Sequence, residues 1–300
     1  MPVHPLIAAC GLIAPLWMTA ATAATADMVR IPAGETRIGA DRGRADEQPS
    51  FVARIAAFEL DRTPVTVAAF NEFARRAKFI TDGERRGASA VMTFGTGQWT
   101  LVTGASWRKP EGPAGPDAVP DHPVTHVSWN DAAAFCASSG RRLPTEIEWE
   151  HAARQGHDNN DAFPFGKALE VGGRYRANVW TGVFPVVNTA ADGFRTTSPV
   201  GAFGRGPLGL SDMAGNVWQW TADWYAPYAG VPARAPAPHP SPLPASGERE
   251  LREKSQRGGS FLCDPKFCYG FRVTARGHAT PDSSHMHVGF RCARSIEART

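Results

Sequence analysis

Cysteine is scarce in this chain, and concentrated positive charge is absent. Only five of the 300 residues are cysteines, so any two that lie close together are informative. The formal net charge is only +3, and the lysines and arginines are scattered. A nucleic-acid-binding protein needs a concentrated basic face, so that class is excluded. The chain also has no internal repeat and no clean domain boundary.

The composition is that of a globular protein with an irregular backbone. Hydrophobic residues make up 42% of the chain and charged residues 20%, which allows a sizeable core. Nine tryptophans, 30 glycines and 25 prolines favour many turns with large aromatic anchors and few long helices.

The first 26 residues differ from the rest. The segment from Leu6 to Thr25 carries no charge, and it ends in Ala24-Thr25-Ala26. A small-x-small triplet after an apolar run is typical of a cleaved secretory signal. We therefore expect residues 1–26 to be a signal peptide and the mature protein to be periplasmic or secreted, without stable membrane association after cleavage. The alternative is an uncleaved anchor, because no Lys or Arg precedes the apolar run.

Local patterns predict three helices and long connecting segments. Thr63 before Pro64 predicts the start of the first helix, and the second is predicted from Trp129 to Ser138. The third follows Thr145, where Thr145-Glu146-Ile147-Glu148 has the pattern of a capping box. Residues 82–122 are predicted to be loop-like. Residues 231–256 are rich in Pro and Ala, then charged, and predict a surface loop.

Two cysteines near the C-terminus indicate reactivity. Cys263 and Cys268 follow Gly258-Gly259-Ser260, and thiols this close can hold a soft metal ion or carry out redox chemistry. The alternative is a structural disulfide between them. Cys10 would be lost with the signal peptide, which leaves Cys136 and Cys292 as the other cysteines. The sequence alone leaves the pairing of the four open.

Segments spread over residues 28–294 resemble those of the formylglycine-generating enzymes, the sulfatase-modifying family. The more specific ones are Trp107-Arg108-Lys109-Pro110-Glu111-Gly112-Pro113, Gly258-Gly259-Ser260 with the two cysteines, and Thr280-Pro281-Asp282-Ser283-Ser284. The resemblance implies one domain over residues 27–300, of α+β class. It would be compact and loop-rich, with little regular secondary structure and a C-type-lectin-like fold.

The resemblance also implies an activity. Members of this family oxidise a cysteine in a Cys-x-Pro-x-Arg motif of an unfolded sulfatase to Cα-formylglycine, with copper as cofactor and O2 as oxidant. Cys263 and Cys268 are then expected to bind Cu(I), and Ser260 matches the active-site serine. Cys136 and Cys292 match a disulfide, which would stabilise the fold by roughly 4–5 kcal/mol. A monomer is expected. The alternatives are oxidation of another peptide or small-molecule thiol, and a non-catalytic binding or maturation module.

Two further segments resemble calcium sites of the family. The first would use the side chains of Asn178 and Asp192 and the carbonyls of Val179 and Phe194. The second would use Asp212 and Gln219 side chains with the carbonyls of Gly215 and Val217. Ca²⁺ prefers six to eight oxygens of this mixture. Ordinary turn chemistry is the alternative, and Gln219 departs from the usual Glu, which should weaken the second site.

His285-Met286-His287 is unusual for the family, whose members tend to have small or amide residues there. Three soft ligands near a copper site can assist metal capture. The alternative is substitution within a loop without a metal role.

Overall fold

The structure, a computed structural model, describes residues 27–228, 234–236 and 252–296. The predicted signal peptide and most of the predicted loop 231–256 lie outside the described residues.

The helices are α1 (Val67–Ala77), α2 (Asp82–Arg86), α3 (Trp129–Ala137) and α4 (Glu146–Ala153), with a 3-10 turn at Ala45–Glu47. The strands are β1 (Met28–Ile31), β2 (Gly34–Ile38), β3 (Phe51–Ile55), β4 (Phe58–Asp61), β5 (Ala88–Met92), β6 (Trp99–Thr103), β7 (Glu170–Val171), β8 (Arg174–Tyr175), β9 (Gly182–Val183), β10 (Val187–Asn188), β11 (Trp218–Trp224), β12 (Arg234–Pro236), β13 (Lys254–Arg257), β14 (Arg276–Ala279), β15 (Val288–Gly289) and β16 (Ala293–Ser295).

The strands form small sheets joined by irregular segments. One sheet has the order β14-β13-β11-β15, in which β15 runs parallel to β11 and the other neighbours are antiparallel. The others have the orders β1-β4-β16 and β12-β3-β2, and three two-stranded hairpins complete the set. Short helices and mostly short strands confirm the predicted α+β, loop-rich class. The four-stranded sheet matters most for the site, because the cysteine segment follows β13.

Helix α4 is buried on every side. Thr145 caps it as predicted: its hydroxyl accepts from the amide of Glu148, whose carboxylate in turn accepts from the amide of Thr145. The helix carries Glu146 and Glu150 into the interior, where Arg257 pairs with both. Burying these charges is tolerated because each is paired and hydrogen-bonded.

Helix α1 begins three residues later than predicted. Thr66, and not Thr63, is the N-cap, and its hydroxyl accepts from the amide of Ala69. Val65 is held in extended structure because its amide donates to the carbonyl of Phe290 and its carbonyl accepts from Val124. These long-range backbone bonds override the local Thr-Pro signal.

Residues 82–122 are not all loop, which corrects the prediction. Helix α2 has a capping box between Thr81 and Glu84, a signal present in the sequence. Strands β5 and β6 then pair as an antiparallel hairpin.

The predicted loop 231–256 is also too long at its C-terminal end. Strand β13 starts at Lys254 and is buried, because β11 and β14 pair with its two edges.

A disulfide joins Cys136 on α3 to Cys292 before β16, across 156 positions of sequence. It confirms the predicted pair. The bond lies inside the largest apolar cluster, which also contains Phe70, Trp107 and Phe290.

Within the described part of the chain, no helix is long and apolar enough to cross a membrane.

Candidate active site

A tight turn after β13 carries the two remaining cysteines. Gly258 and Gly259 have φ angles of +97° and +68°, which favour glycine. At Gly259 an added Cβ would also lie 2.5 Å from the backbone nitrogen of Phe271. The chain then closes one turn, in which the amide of Cys268 donates to the carbonyl of Asp264 at 2.8 Å. This turn brings the two cysteine side chains together.

The two sulfur atoms converge on one point. The Sγ atoms of Cys263 and Cys268 lie 2.7 Å apart, and both residues are free thiols. Cys263 is 2% exposed, whereas Cys268 is half-buried. A reactant therefore approaches the pair from the side of Cys268.

The environment shifts the pKa values of the two thiols in opposite directions. Burial, and then contact with Cys268, raises the pKa of Cys263. The hydrogen bond from Cys263 lowers the pKa of Cys268, and the Gly270 amide and Arg44 add to this effect. Ser260 is fully buried, and its hydrogen bonds act in the opposite direction, to lower the pKa of Cys263. Cys268 is therefore the first of the pair to ionise.

We expect Cys268 to be alkylated by iodoacetamide with a pH midpoint below the value of about 8.5 for an ordinary thiol. Its pKa is lowered, so the thiolate is present above that pKa and disappears as the pH falls through it. Cys263 should stay unmodified over the same range because it is buried and its pKa is raised. Peptide mapping after timed alkylation measures both. A midpoint for Cys268 above 8.5 would contradict this description of the pair.

Apolar and aromatic groups surround the thiols. An added Cβ at Gly270 would meet both the ring of Trp218, at 2.5 Å, and the Sγ of Cys263, at 2.9 Å. Glycine is therefore required there for the cysteine and the indole to pack. On the open side, Phe267 is 72% exposed and stacks on Phe184 of the β9–β10 connection. The site thus has a closed inner wall and an exposed aromatic rim.

The histidine pair His285 and His287 lies against the same region. The rings of His285 and His287 are 5.8 Å apart and both contact Trp99 of β6. Met286, between them, packs with Phe261 and Leu262 of the cysteine segment. Over the residues that the structure describes, no three His, Cys, Asp or Glu side chains converge to hold a metal ion. Two thiolates alone are a ligand set that Cu(I), which accepts low coordination, can use.

Comparison with known proteins decides the family. The family model described as "Sulfatase-modifying factor enzyme 1-like domain" matches residues 14–296. This chain belongs to that family. The predicted membership is confirmed.

Within the sulfatase-modifying family, the chain is similar to both active and inactive members. It is 42% identical to the formylglycine-generating enzyme of Streptomyces coelicolor, over 91% of this chain and 90% of that protein. It is 36% identical to the inactive C-alpha-formylglycine-generating enzyme 2 of Bos taurus, over 96% and 95%. Among solved structures, PvdO from Pseudomonas aeruginosa matches with a TM-score of 0.66 and 27% identity, over 90% of this chain and 94% of PvdO.

Of the first calcium cluster predicted from the family, the structure places Asp192 against Val179 and Phe194. The carboxylate of Asp192 accepts from the amides of Val179, at 2.8 Å, and Phe194, at 3.1 Å. Asn178 donates its amide to the carbonyl of Thr196 at 2.8 Å, but its buried Oδ1 has no hydrogen-bond partner. Burial raises the pKa of Asp192. The orphaned buried oxygen of Asn178 and the half-buried carboxylate of Asp192, which contacts the next residue Val179, are groups that fit a cation such as Ca²⁺.

The second cluster does not fit a calcium ion. The Oε1 of Gln219 already accepts from the indole of Trp149, at 2.8 Å, and from the guanidinium of Arg291, at 2.7 Å. Gln219 also donates to the carbonyl of Asp212, and the carboxylate of Asp212 accepts from the amide of Gly201. Gly215 and Val217 lie in the bends just before β11. A buried Arg291 cation thus binds where a second cation would be expected.

Two aromatic residues of this region, Phe184 and Trp99, were not predicted from the sequence. Phe184 is 83 positions from Phe267 along the chain, and Trp99 is far from the histidine pair; only the fold brings them together. Neither residue belongs to a recognisable local motif, so the sequence carries no signal for them.

Proposed function

We propose that this protein oxidises a cysteine in a Cys-x-Pro-x-Arg segment of an unfolded sulfatase to Cα-formylglycine, using O2 and Cu(I). The observation that carries the proposal is the convergence of Cys263 and Cys268 in one short turn. The similarity to formylglycine-generating enzymes supports the choice of substrate. It does not suffice alone, because the inactive relative is nearly as similar.

The residues at the turn fit Cu(I). Cys263 and Cys268 supply two soft sulfur ligands, and one of them ionises readily. When bound there, copper supplies the one-electron chemistry that allows O2 to react with a closed-shell thiol. Ser260 holds Cys263 in place through its hydrogen bonds, and Trp218 closes the inner wall. The half-buried Cys268 leaves the approach open for the substrate thiol.

The proposed reaction balances with an external reductant. The substrate CH2–SH group loses a hydrogen from its β-carbon, its C–S bond breaks, and the carbon becomes an aldehyde. Sulfur leaves as hydrogen sulfide. O2 accepts two electrons from the substrate carbon and two from a thiol reductant, together with two protons from solvent. In the balance, one oxygen atom forms water and the other accounts for the aldehyde oxygen. The chain's own part is to hold and orient the two thiols.

The rim of the site suits an unfolded polypeptide. Phe267 and Tyr269 flank Cys268 and are 72% and 48% exposed, and Val183 and Val186 on the neighbouring hairpin are also exposed. Exposed apolar groups in a patch mark an interaction surface. An extended segment can lie across this rim, so the proposed substrate is an unfolded polypeptide.

The experiment that tests the proposal uses the purified full chain with Cu(I), a thiol reductant, air and a Cys-x-Pro-x-Arg peptide. Mass spectrometry should show conversion of the CH2–SH group to an aldehyde, and the product should react with a hydrazide. The matched peptide with Ser in place of Cys should not change. An unreacted cysteine peptide, with copper bound to both cysteines, would refute the sulfatase motif as substrate.

We further propose that Asn178 and Asp192 hold Ca²⁺, with the carbonyls of Val179 and Phe194. At a concentration of 100 times Kd, calcium should stabilise the fold by about 2.7 kcal/mol, and the unfolding temperature should rise. Asp192→Asn should remove this increase, while Asp158→Asn, at an exposed carboxylate, should keep it. The raised pKa of Asp192 means that the effect is lost as the pH falls through that pKa. An unchanged calcium response in Asp192→Asn would refute the site.

We propose that residues 1–26 direct export, so that the enzyme meets its sulfatase before the latter folds, in the periplasm or outside the cell. N-terminal sequencing of the mature protein from a secreting host should begin at Asp27. Retention of Met1 in the exported fraction would indicate an anchor instead.

A further inference from the structure

We propose that His285 and His287 form a second Cu(I) site, separate from Cys263 and Cys268. The inference takes Cu(I) from the proposed function, and it assigns a role to the one motif which that function leaves unused. The proposed oxidation uses neither imidazole, so the inference goes beyond it.

The backbone holds this segment firmly on both sides. The carbonyl of His285 accepts from the amide of His126 at 2.9 Å, and the carbonyl of His287 accepts from the amide of Trp218 at 2.9 Å. Between them, the amide of Met286 donates to the carbonyl of Ala90 at 3.0 Å. Met286 and His287 form a turn, in which the amide of Val288 donates to the carbonyl of His285 at 3.3 Å. The two imidazoles are therefore fixed next to each other by the fold.

The distance between the rings suits one shared ion. Their centroids are 5.8 Å apart. With nitrogen–metal bonds of about 2.0 Å, two imidazoles that share an ion have centroids about 6 Å apart. Trp99 contacts both rings, with centroid distances of 5.7 Å to His285 and 4.8 Å to His287, and this packing limits their rotation.

Both rings carry a buried nitrogen without a partner. The Nδ1 atoms of His285 and His287 are buried and have no hydrogen-bond partner. An unsatisfied buried polar group costs about 1–3 kcal/mol, and such groups in native proteins call for an explanation. A metal ion bound at these nitrogens supplies one.

The ligand set favours a monovalent soft ion. Imidazole nitrogens are ligands that copper accepts, and Cu(I) is soft and accepts low coordination. Two neutral imidazoles bring no negative charge to compensate a divalent ion, so they suit Cu(I) better.

The pair also lies next to the cysteine turn. Met286 packs against Phe261 and Leu262, the two residues before Cys263. The Sδ of Met286 accepts from the amide of Met92 at 3.1 Å, so the thioether is already engaged and the two imidazoles are the ligands.

Anaerobic Cu(I) titration against a chromogenic chelator tests the proposal on the full chain. The unmodified protein should bind two equivalents, and Cys263→Ser/Cys268→Ser should bind one. His285→Ala/His287→Ala should also bind one, and the combined four-site variant none. His157→Ala removes an exposed histidine outside the cluster, and should still bind two. Two equivalents in the histidine double variant, or none in the cysteine double variant, would overturn the proposal.

A spectroscopic measurement covers the case in which the histidine variant does not fold. X-ray absorption at the copper edge, on Cu(I)-loaded Cys263→Ser/Cys268→Ser, should show two nitrogen ligands with the outer-shell scattering of imidazole and no sulfur. Sulfur ligands, or no imidazole scattering, would overturn the assignment. Neither measurement depends on turnover, so failure of the proposed oxidation and failure of this site give different results.

Discussion

Cys268→Ser is expected to reduce formation of the aldehyde by at least about 10³-fold. The two thiols act as one unit, so the loss of either removes the function of both. Cys263→Ser should have the same effect, and the double variant should be no worse than either single one. The two Sγ atoms form one site, so removal of either leaves a single soft ligand. Initial rates on the Cys-x-Pro-x-Arg peptide, followed by mass spectrometry, give the comparison.

Two controls separate chemistry from folding. Cys136→Ser/Cys292→Ser also removes two sulfur atoms, but it removes the disulfide and should change stability while activity persists at temperatures where the variant is folded. Ser260→Ala removes a hydroxyl that acts through Cys263, and a loss of about 10–100-fold is expected. A cysteine variant with more than a tenth of the unmodified rate would contradict the assignment of the pair.

Glu150→Ala is expected to destabilise the fold by about 3–5 kcal/mol. Glu150 is fully buried and pairs with Arg154 and Arg257, and its Oε1 also accepts from the amide of Gly39 at 2.9 Å. The substitution leaves two buried guanidinium groups short of a partner, together with an unsatisfied amide. Urea denaturation at constant pH, with the slope checked for constancy, measures the free energy of unfolding.

Glu72→Ala is the matched control for that change. Glu72 pairs with Arg75 and Arg76 on the solvent-exposed side of α1, where water screens the charges. The number of ion pairs lost is the same, yet the stability should change little. Equal losses in the two variants would show that burial does not determine the importance of these pairs.

Local patterns predicted the local structure well. The capping box at Thr145 marks the start of α4, and Trp129–Ala137 is helical as expected. The predicted elements were wrong where residues distant in the sequence form backbone hydrogen bonds with the segment. Val65 is held extended by Phe290 and Val124, which no sequence window around Thr63 contains. The β5–β6 hairpin was missed among turn-forming residues.

For the site as well, residues close in sequence could be predicted, whereas contacts between distant residues could not. Cys263 and Cys268 were identifiable because they share one short turn, and the Cys136–Cys292 bond followed from the family resemblance. Gln219 shows the limit. Its oxygen is engaged by Trp149, 70 positions away, and by Arg291, 72 positions away. A match to a ligand position does not show which partners the fold has already given to that oxygen.

The central claim is that this chain exchanges the sulfur of a substrate cysteine for an aldehyde oxygen at the expense of O2. The most direct measurement follows O2 consumption, sulfide release and aldehyde formation together, during turnover of the peptide by the copper-loaded protein. The account predicts one O2, one sulfide and one aldehyde per peptide converted, and none of the three with Cys263→Ser/Cys268→Ser. Oxygen consumption that yields peptide disulfide, without sulfide or aldehyde, would contradict it.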